Sequence, residues 1–385
     1  HLEDPRAALT HCRALLRPGG ALVVVTPDPS SAAARLAGRR WWGYLPAHTV
    51  LVPRRTLREL VAGTGLTIAY DTTLTRTFSA AYWLAGLAER SGPLAAVAGT
   101  AARVLGRRAL SISLGDERVV VAHSVDTQRP AVPLVRDRGE GHQVHVVLPA
   151  YNAAATIGHV AEALPVAAAD RALLVDDASP DATTEVALAH GFDVIRHPVN
   201  RGYGANQMTC YQRALADGAD IVVMVHADNQ YDPGLVAEMA APIAAGNADV
   251  VIGSRLLEDR AVIGGMPRWK WLGNRLLTEV ENWAFRRRYS EYHTGYRAFS
   301  AEFLRSVAFL RNSDDFVFDQ EIFAQAVARD ARVIELAIPT RYFLEASSVS
   351  FRQSVRYGLL TLGVLARFRR DERRGDWLLL RPPAA

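Results

Sequence analysis

The chain has 385 residues, 49% of them apolar and 22% charged. That balance excludes an intrinsically disordered polypeptide, and at about 100–200 residues per domain it excludes one ordinary core. The formal charge of +4 is spread along the sequence, and Lys270 is the only lysine; the pattern suits a phosphate-rich ligand or an anionic membrane surface and offers no basic block for nucleic acid. No run reaches the roughly 18 apolar residues of a membrane span, the nearest being 93–105 and 357–368, and no signal-peptide pattern is present. Cys12 and Cys210 stand alone, outside any metal-ligand spacing, which points to a reducing compartment and a cytoplasmic location.

The first segment, 1–125, opens with an amphipathic helix predicted over 5–16. Proline and glycine at 18–20 end it in a turn, and a buried strand is expected over 21–26 (ALVVVT). A helix at 56–62 and a strand at 118–122 follow. Residues 126–141, polar and without period, read as a linker.

The second segment, 142–345, alternates strands and helices as a doubly wound α/β sheet does. Strands are expected at 143–148, 171–175, 193–196, 221–225 and 250–253. Helices are expected at 156–164, 182–190, 205–217, 233–245 and 270–286. Apolar runs such as VHVVLP and IVVMV fit strands covered on both faces. Ligands of such sheets bind beyond the carboxyl ends of the strands, and these ends carry the unusual polar residues.

They are Pro149, Tyr151 and Asn152; Asp176 and Asp177; Arg201, Gly202 and Gly204; His226, Asp228 and Gln230; and Arg255. Together they suit a nucleoside diphosphate. Asp176 and Asp177 can accept hydrogen bonds from a base or ribose, and the Gly202/Gly204 loop can bring helix N-terminal amides to an anion. Asp228 and Gln230 offer hard oxygen ligands to Mg²⁺ or Mn²⁺, and Arg255 can clamp a diphosphate. Asp181 and Asp232, each beside a proline, read as helix caps.

The stretches VVLPAYNAAATI, LLVDDASPDATTEVA, NRGYGAN, HADNQYDP, VIGSR and HTGYRAFS resemble glycosyltransferase family 2, in particular the branch similar to dolichol-phosphate mannose synthase. The resemblance implies a GT-A fold, a nucleotide-sugar donor, a divalent cation and inversion at the anomeric carbon. It implies that Asp177, with Asp176 beside it, contacts the nucleoside, that Asp228 and Gln230 hold the metal, and that Arg255 holds the phosphates. The chain departs from the pattern at His226, where the first acid of Asp-x-Asp is usual, and at Ala153. Histidine suits Mn²⁺ better than Mg²⁺.

For the acceptor, a polyprenyl phosphate or a saccharide, Asp319 and Glu321 are the candidate catalytic acids. Two apart on a helix they point in different directions, and Asp319 is the favoured one. In the tail, 346–385, the stretch 347–352 resembles a Ser- and Arg-bearing loop of polyprenyl-phosphate transferases. The helix expected over 351–369 ends in arginines that can lie on an anionic bilayer, at the inner face of the plasma membrane.

The first segment, with HLEDPRAALTHCRALLRPGGALVVVTPDPSS and RRWWGYLPAHTVLVPRRTLRELVAGTGLTI, resembles the C-terminal half of a class I S-adenosylmethionine-dependent methyltransferase. The glycine-rich cofactor loop of such enzymes belongs to their earlier half, so no methyl transfer is expected from this chain. The fold expected is thus a GT-A sheet preceded by a partial Rossmann-like segment. The function expected is glycosyl transfer, the alternatives being a catalytically silent sugar-nucleotide-binding protein or a fragment of a bifunctional methyltransferase–glycosyltransferase.

Overall fold

A computed structural model describes residues 2–17, 19–81, 108–135, 139, 141–257, 268–339 and 351–374. The chain divides into two compact units, His1–His123 and Ser124–Ala385. Pro18, the apolar run at 93–105 and the loop at 347–350 lie outside the described residues.

In the first unit the elements are α1 (Pro5–Leu15), β1 (Ala21–Pro27), α2 (Ala32–Ala37), α3 (Arg54–Gly63), β2 (Thr67–Thr73), β3 (Arg76–Ser79), β4 (Ala109–Ile112) and β5 (Glu117–His123). Asp4 starts α1 by accepting the Ala7 amide at 3.0 Å, with Pro5 next to it. Strands β1, β5 and β2 form an antiparallel sheet in that order, and β3 pairs with β4. Leu22 and Val24 face a core of Leu9, Leu57, Val61, Ile68 and Val120. The strand expected to be buried is covered on one face only, since Val23 and Val25 are 58% and 51% exposed. An apolar run specifies a strand but supplies no second layer to cover it. The β3–β4 pair and β2 were not expected, because none of the three carries a sustained apolar run.

The second unit contains β6 (Val144–Ala150), α4 (Ile157–Ala163), β7 (Arg171–Asp176), α5 (Thr183–Ala189), β8 (Asp193–Arg196), α6 (Tyr203–Ala216), β9 (Ile221–Met224), α7 (Val236–Ala244), β10 (Val250–Ser254), α8 (Arg268–Phe285), β11 (Arg297–Ser300), α9 (Ala301–Ser306), α10 (Phe318–Ala328), β12 (Val333–Ala337) and α11 (Phe351–Arg374). The sheet has seven strands in the order β12-β10-β11-β9-β6-β7-β8. All neighbours run parallel except β11, which is antiparallel to β10 and β9.

Period-two side chains explain the two cores. Val147, Leu173, Val175, Val222, Met224 and Ile252 face one layer, while Val146, Leu148, Leu174, Val223 and Val251 face the other. Strands β11 and β12, four and five residues long, were not expected. Part of the stretch read as linker is strapped to this unit: Gln128 and Val194 exchange backbone hydrogen bonds at 2.7 and 2.9 Å, Leu134 N–H donates to Gly191 O at 2.7 Å, and Val135 is buried. Backbone pairing needs no side-chain period, so composition did not announce it.

Candidate active site

The carboxyl ends of β6, β7 and β9 meet through short contacts. Tyr151 and Asn152, both exposed, follow β6, whose Pro149 is half-buried. Asn152 takes a left-handed φ of 54° and donates its amide to Ser179 Oγ at 2.9 Å. Thr156 Oγ1 donates to Ala227 O at 2.6 Å, fixing the start of α4 to the turn after β9.

The acidic pair after β7 is turned inward. Asp176, fully buried, accepts from Ser179 N at 2.9 Å and Thr184 Oγ1 at 2.6 Å, and it pairs with Arg196 at 3.2 Å. Asp177 accepts from Arg201 N at 2.9 Å, Gly202 N at 2.8 Å and His197 Nδ1 at 2.6 Å. Burial lowers the His197 pKa, so a neutral ring donates through Nδ1–H and accepts Thr209 Oγ1–H at Nε2, 2.9 Å away.

These carboxylates, expected to reach a base or ribose, are buried and accept hydrogen bonds from this chain's own donors. The glycine loop changes role with them. Its amides at 201 and 202 bind the Asp177 carboxylate, and Gly204 N–H donates to Asp314 O at 2.7 Å. The anion at the N-terminus of α6 is an internal one. Gly202, at φ 93°, has no room for a side chain, because a Cβ would sit 2.7 Å from Asp314 O. The Arg201 side chain is half-buried.

Arg255 is likewise engaged. It donates Nε to Glu291 Oε1 at 2.9 Å, its backbone N–H to Glu291 Oε2 at 2.8 Å, and Nη2 to Glu291 and to His293 O. Glu291 is fully buried; against that desolvation, Arg255 draws its carboxyl below the usual range. The arginine expected to hold phosphate is thus paired, within this chain, with a buried acid.

What remains open lies on the turn after β9. Asp228 is half-exposed, and one carboxylate oxygen accepts the Gln230 amide at 3.0 Å. Its other oxygen makes no hydrogen bond among the described residues. Asn229, at φ 57°, and the half-exposed Gln230 complete the turn. No group of three His, Cys, Asp or Glu that could hold a metal occurs among the described residues. One carboxylate and one amide do fit a hard cation whose other ligands are substrate phosphates and water.

His226 turns Nε2 to the Tyr203 hydroxyl at 3.0 Å. The same hydroxyl lies 3.2 Å from Asp319 Oδ2, and Gln207 donates to Asp319 Oδ1 at 3.0 Å. Burial and then the Asp319 charge raise the Tyr203 pKa well above its usual range, so the phenol keeps its proton. Arg297, fully buried, is 3.8 Å from Asp319 and donates to the Asp319 carbonyl at 2.9 Å. Glu321 points away, accepting from Ser313 N and Ser313 Oγ beside Arg367. Asp319 and not Glu321 thus joins the turn. Sequence reasoning missed Tyr203, Gln207, Gly295, Arg297 and Glu291 as site residues. Three of these sit inside NRGYGAN and HTGYRAFS and had a signal.

Gly295 N–H donates to Tyr231 OH at 3.0 Å, and a Cβ on Gly295 would stand 2.1 Å from His226 Nε2. Gly295→Ala should displace His226 from Tyr203 and lower stability by about 1–3 kcal/mol. A thermal melt indistinguishable from wild type would mean that the ring does not pack on Gly295.

Residues 145–309 match Glycosyl transferase family 2. The chain belongs to that family. Residues 1–70 match a methyltransferase domain. An uncharacterised protein of Methanocaldococcus jannaschii is 30% identical to the transferase over 203 residues, 52% of this chain and 82% of the relative. A low-salt glycan biosynthesis hexosyltransferase of Haloferax volcanii is 30% identical over 198 residues, 50% of this chain and 46% of the relative. A UDP-N-acetylglucosamine–dolichyl-phosphate N-acetylglucosaminyltransferase of Methanococcus voltae is 27% identical over 179 residues, covering 42% and 71%. The transferase is thus a glycosyltransferase with a mixed, mainly parallel sheet.

Proposed function

We propose that the transferase moves a sugar, with inversion, from a nucleoside-diphosphate donor to a lipid phosphate, using Mg²⁺ or Mn²⁺ bound with the donor. The observation that carries this reading is the half-exposed Asp228 carboxylate at the end of a central strand, one oxygen of which makes no hydrogen bond among the described residues. Asp228 and Gln230 would hold the cation, which supplies neutralising charge for the departing diphosphate. Tyr151 and Asn152, exposed beside that turn's supporting helix, would meet the nucleoside, and Arg201 the phosphates. Asp176, Asp177 and Gly202 would shape the loop, and Arg255 would brace the site from below.

The setting of Asp319 supports this choice of acceptor. Its oxygens are taken by Tyr203 and Gln207, so it is poorly placed to remove a hydroxyl proton. A phosphate acceptor is already ionised and needs no base. The name of the M. voltae relative supports the same acceptor class; a saccharide acceptor would require Asp319 to be released.

A thermal-shift series with nucleoside diphosphates tests the reading. With Mn²⁺ present, one of them at about a hundred times its Kd should stabilise the protein by about 2.7 kcal/mol, and chelator should remove the effect. The absence of any shift with every nucleoside diphosphate, with Mg²⁺ or Mn²⁺, would overturn it.

A further inference from the structure

We propose that the outer faces of α8 and α11 together form a docking surface for an anionic lipid bilayer. Each helix buries one side and carries exposed apolar residues on the other. On α8, Thr278, Glu281, Ala284 and Phe285 turn inward. Leu272, Leu276, Val280 and Trp283, spaced by four, four and three residues, form a stripe on the opposite side. On α11, Thr361, Val364, Leu365 and Phe368 turn inward, and Val355, Leu359 and Leu362 form the outer stripe. Leu276, Trp283 and Leu359 are 61%, 73% and 65% exposed.

The two stripes are neighbours. Phe285 and Phe368 pack edge to face at 5.0 Å between the two helices, and the Arg369 guanidinium of α11 lies 5.1 Å over the Trp283 ring of the α8 stripe. Solitary exposed apolar side chains need no explanation, but two aligned stripes on packed helices do.

Charge selects the occupant. Exposed arginines flank the stripes, at Arg275 and Arg286 on or just after α8 and at Arg370 on α11, with Arg356, also exposed, paired with Asp315 at 2.9 Å. Glu279 is the exposed acid beside the α8 stripe. An apolar face edged by arginine, with a tryptophan, is complementary to the interfacial zone of a membrane carrying anionic lipid. No described helix is long and apolar enough to cross a membrane, so contact by one face is the form it would take. The α8 stripe is the new element: the tail alone would present half of this surface. The inference shares with the proposed function only the lipid nature of the acceptor, and vesicle binding is read without turnover, so either can fail alone.

Flotation of the full chain with vesicles tests it. Vesicles of phosphatidylcholine containing a quarter of phosphatidylglycerol should carry the protein, and phosphatidylcholine alone should carry at least about fivefold less. The Leu276→Glu/Leu359→Glu variant, changed only at exposed positions and checked by an unaltered thermal melt, should lose about tenfold of the binding. Each single substitution serves if the pair fails to fold. Wild-type protein that does not float with the anionic vesicles, or a folded variant that floats equally well, would overturn the proposal. So would a wild-type dimer that the variant turns into monomer, because a second copy would then be the occupant.

Discussion

Asp228→Asn should leave the fold intact and lower sugar transfer by about a thousandfold, or about 4 kcal/mol. Asparagine keeps an oxygen in the place that accepts the Gln230 amide at 3.0 Å, so the turn survives and only the charge is lost. Asp228 is half-exposed, and its substitution uncovers no buried partner. The loss should appear in turnover and in the Mn²⁺-dependent part of the nucleoside diphosphate thermal shift, while the melt of the ligand-free protein is unchanged. Turnover within about threefold of wild type would remove the cation from this turn.

Arg255→Ala should act in the opposite way, on stability. Glu291 is fully buried and takes its charge-compensating bonds from Arg255. Removing the guanidinium strands a buried carboxylate, at a cost of about 3–5 kcal/mol. The pH dependence carries the sign. The folded pKa of Glu291 is held below its usual value, so the stabilisation is present above the unfolded-state pKa and is lost as pH falls through the folded one. The gap between wild type and variant should therefore narrow in acid. A variant with an unchanged melt and a raised KM for the nucleotide sugar would restore the phosphate-clamp role that the sequence suggested.

These contrasting results separate two kinds of strand-end residue that look alike in one dimension. Asp177, Asp228 and Arg255 all follow apolar strands and all belong to recognisable stretches. In three dimensions Asp177 is closed off by the amides of residues 201 and 202 and by His197, and Arg255 by a glutamate thirty-six residues away in sequence. Among the described residues, Asp228 makes its hydrogen bond within its own turn. Type and spacing announce that a residue is special, but whether its lone pairs or donors remain open depends on partners brought from elsewhere.

The Asp319/Glu321 pair makes the same point at closer range. The helical period said that the two acids diverge, and they do. That Asp319 reaches His226 through Tyr203, while Glu321 closes on Ser313, follows from how α10 packs beside α6.

By itself the sequence determined five of the seven strands of the central sheet and the family, because apolar strands, glycine turns and ordered polar strand ends are local signals. It singled out the turn at Asp228 and Gln230 for the same reason. Only tertiary structure decided the antiparallel insertion of β11, the strapping of residues 128–135 along β8 and the internal use of Asp176, Asp177 and Arg255. Those depend on backbone pairing and on burial of charge between distant segments, and neither leaves a period in the chain.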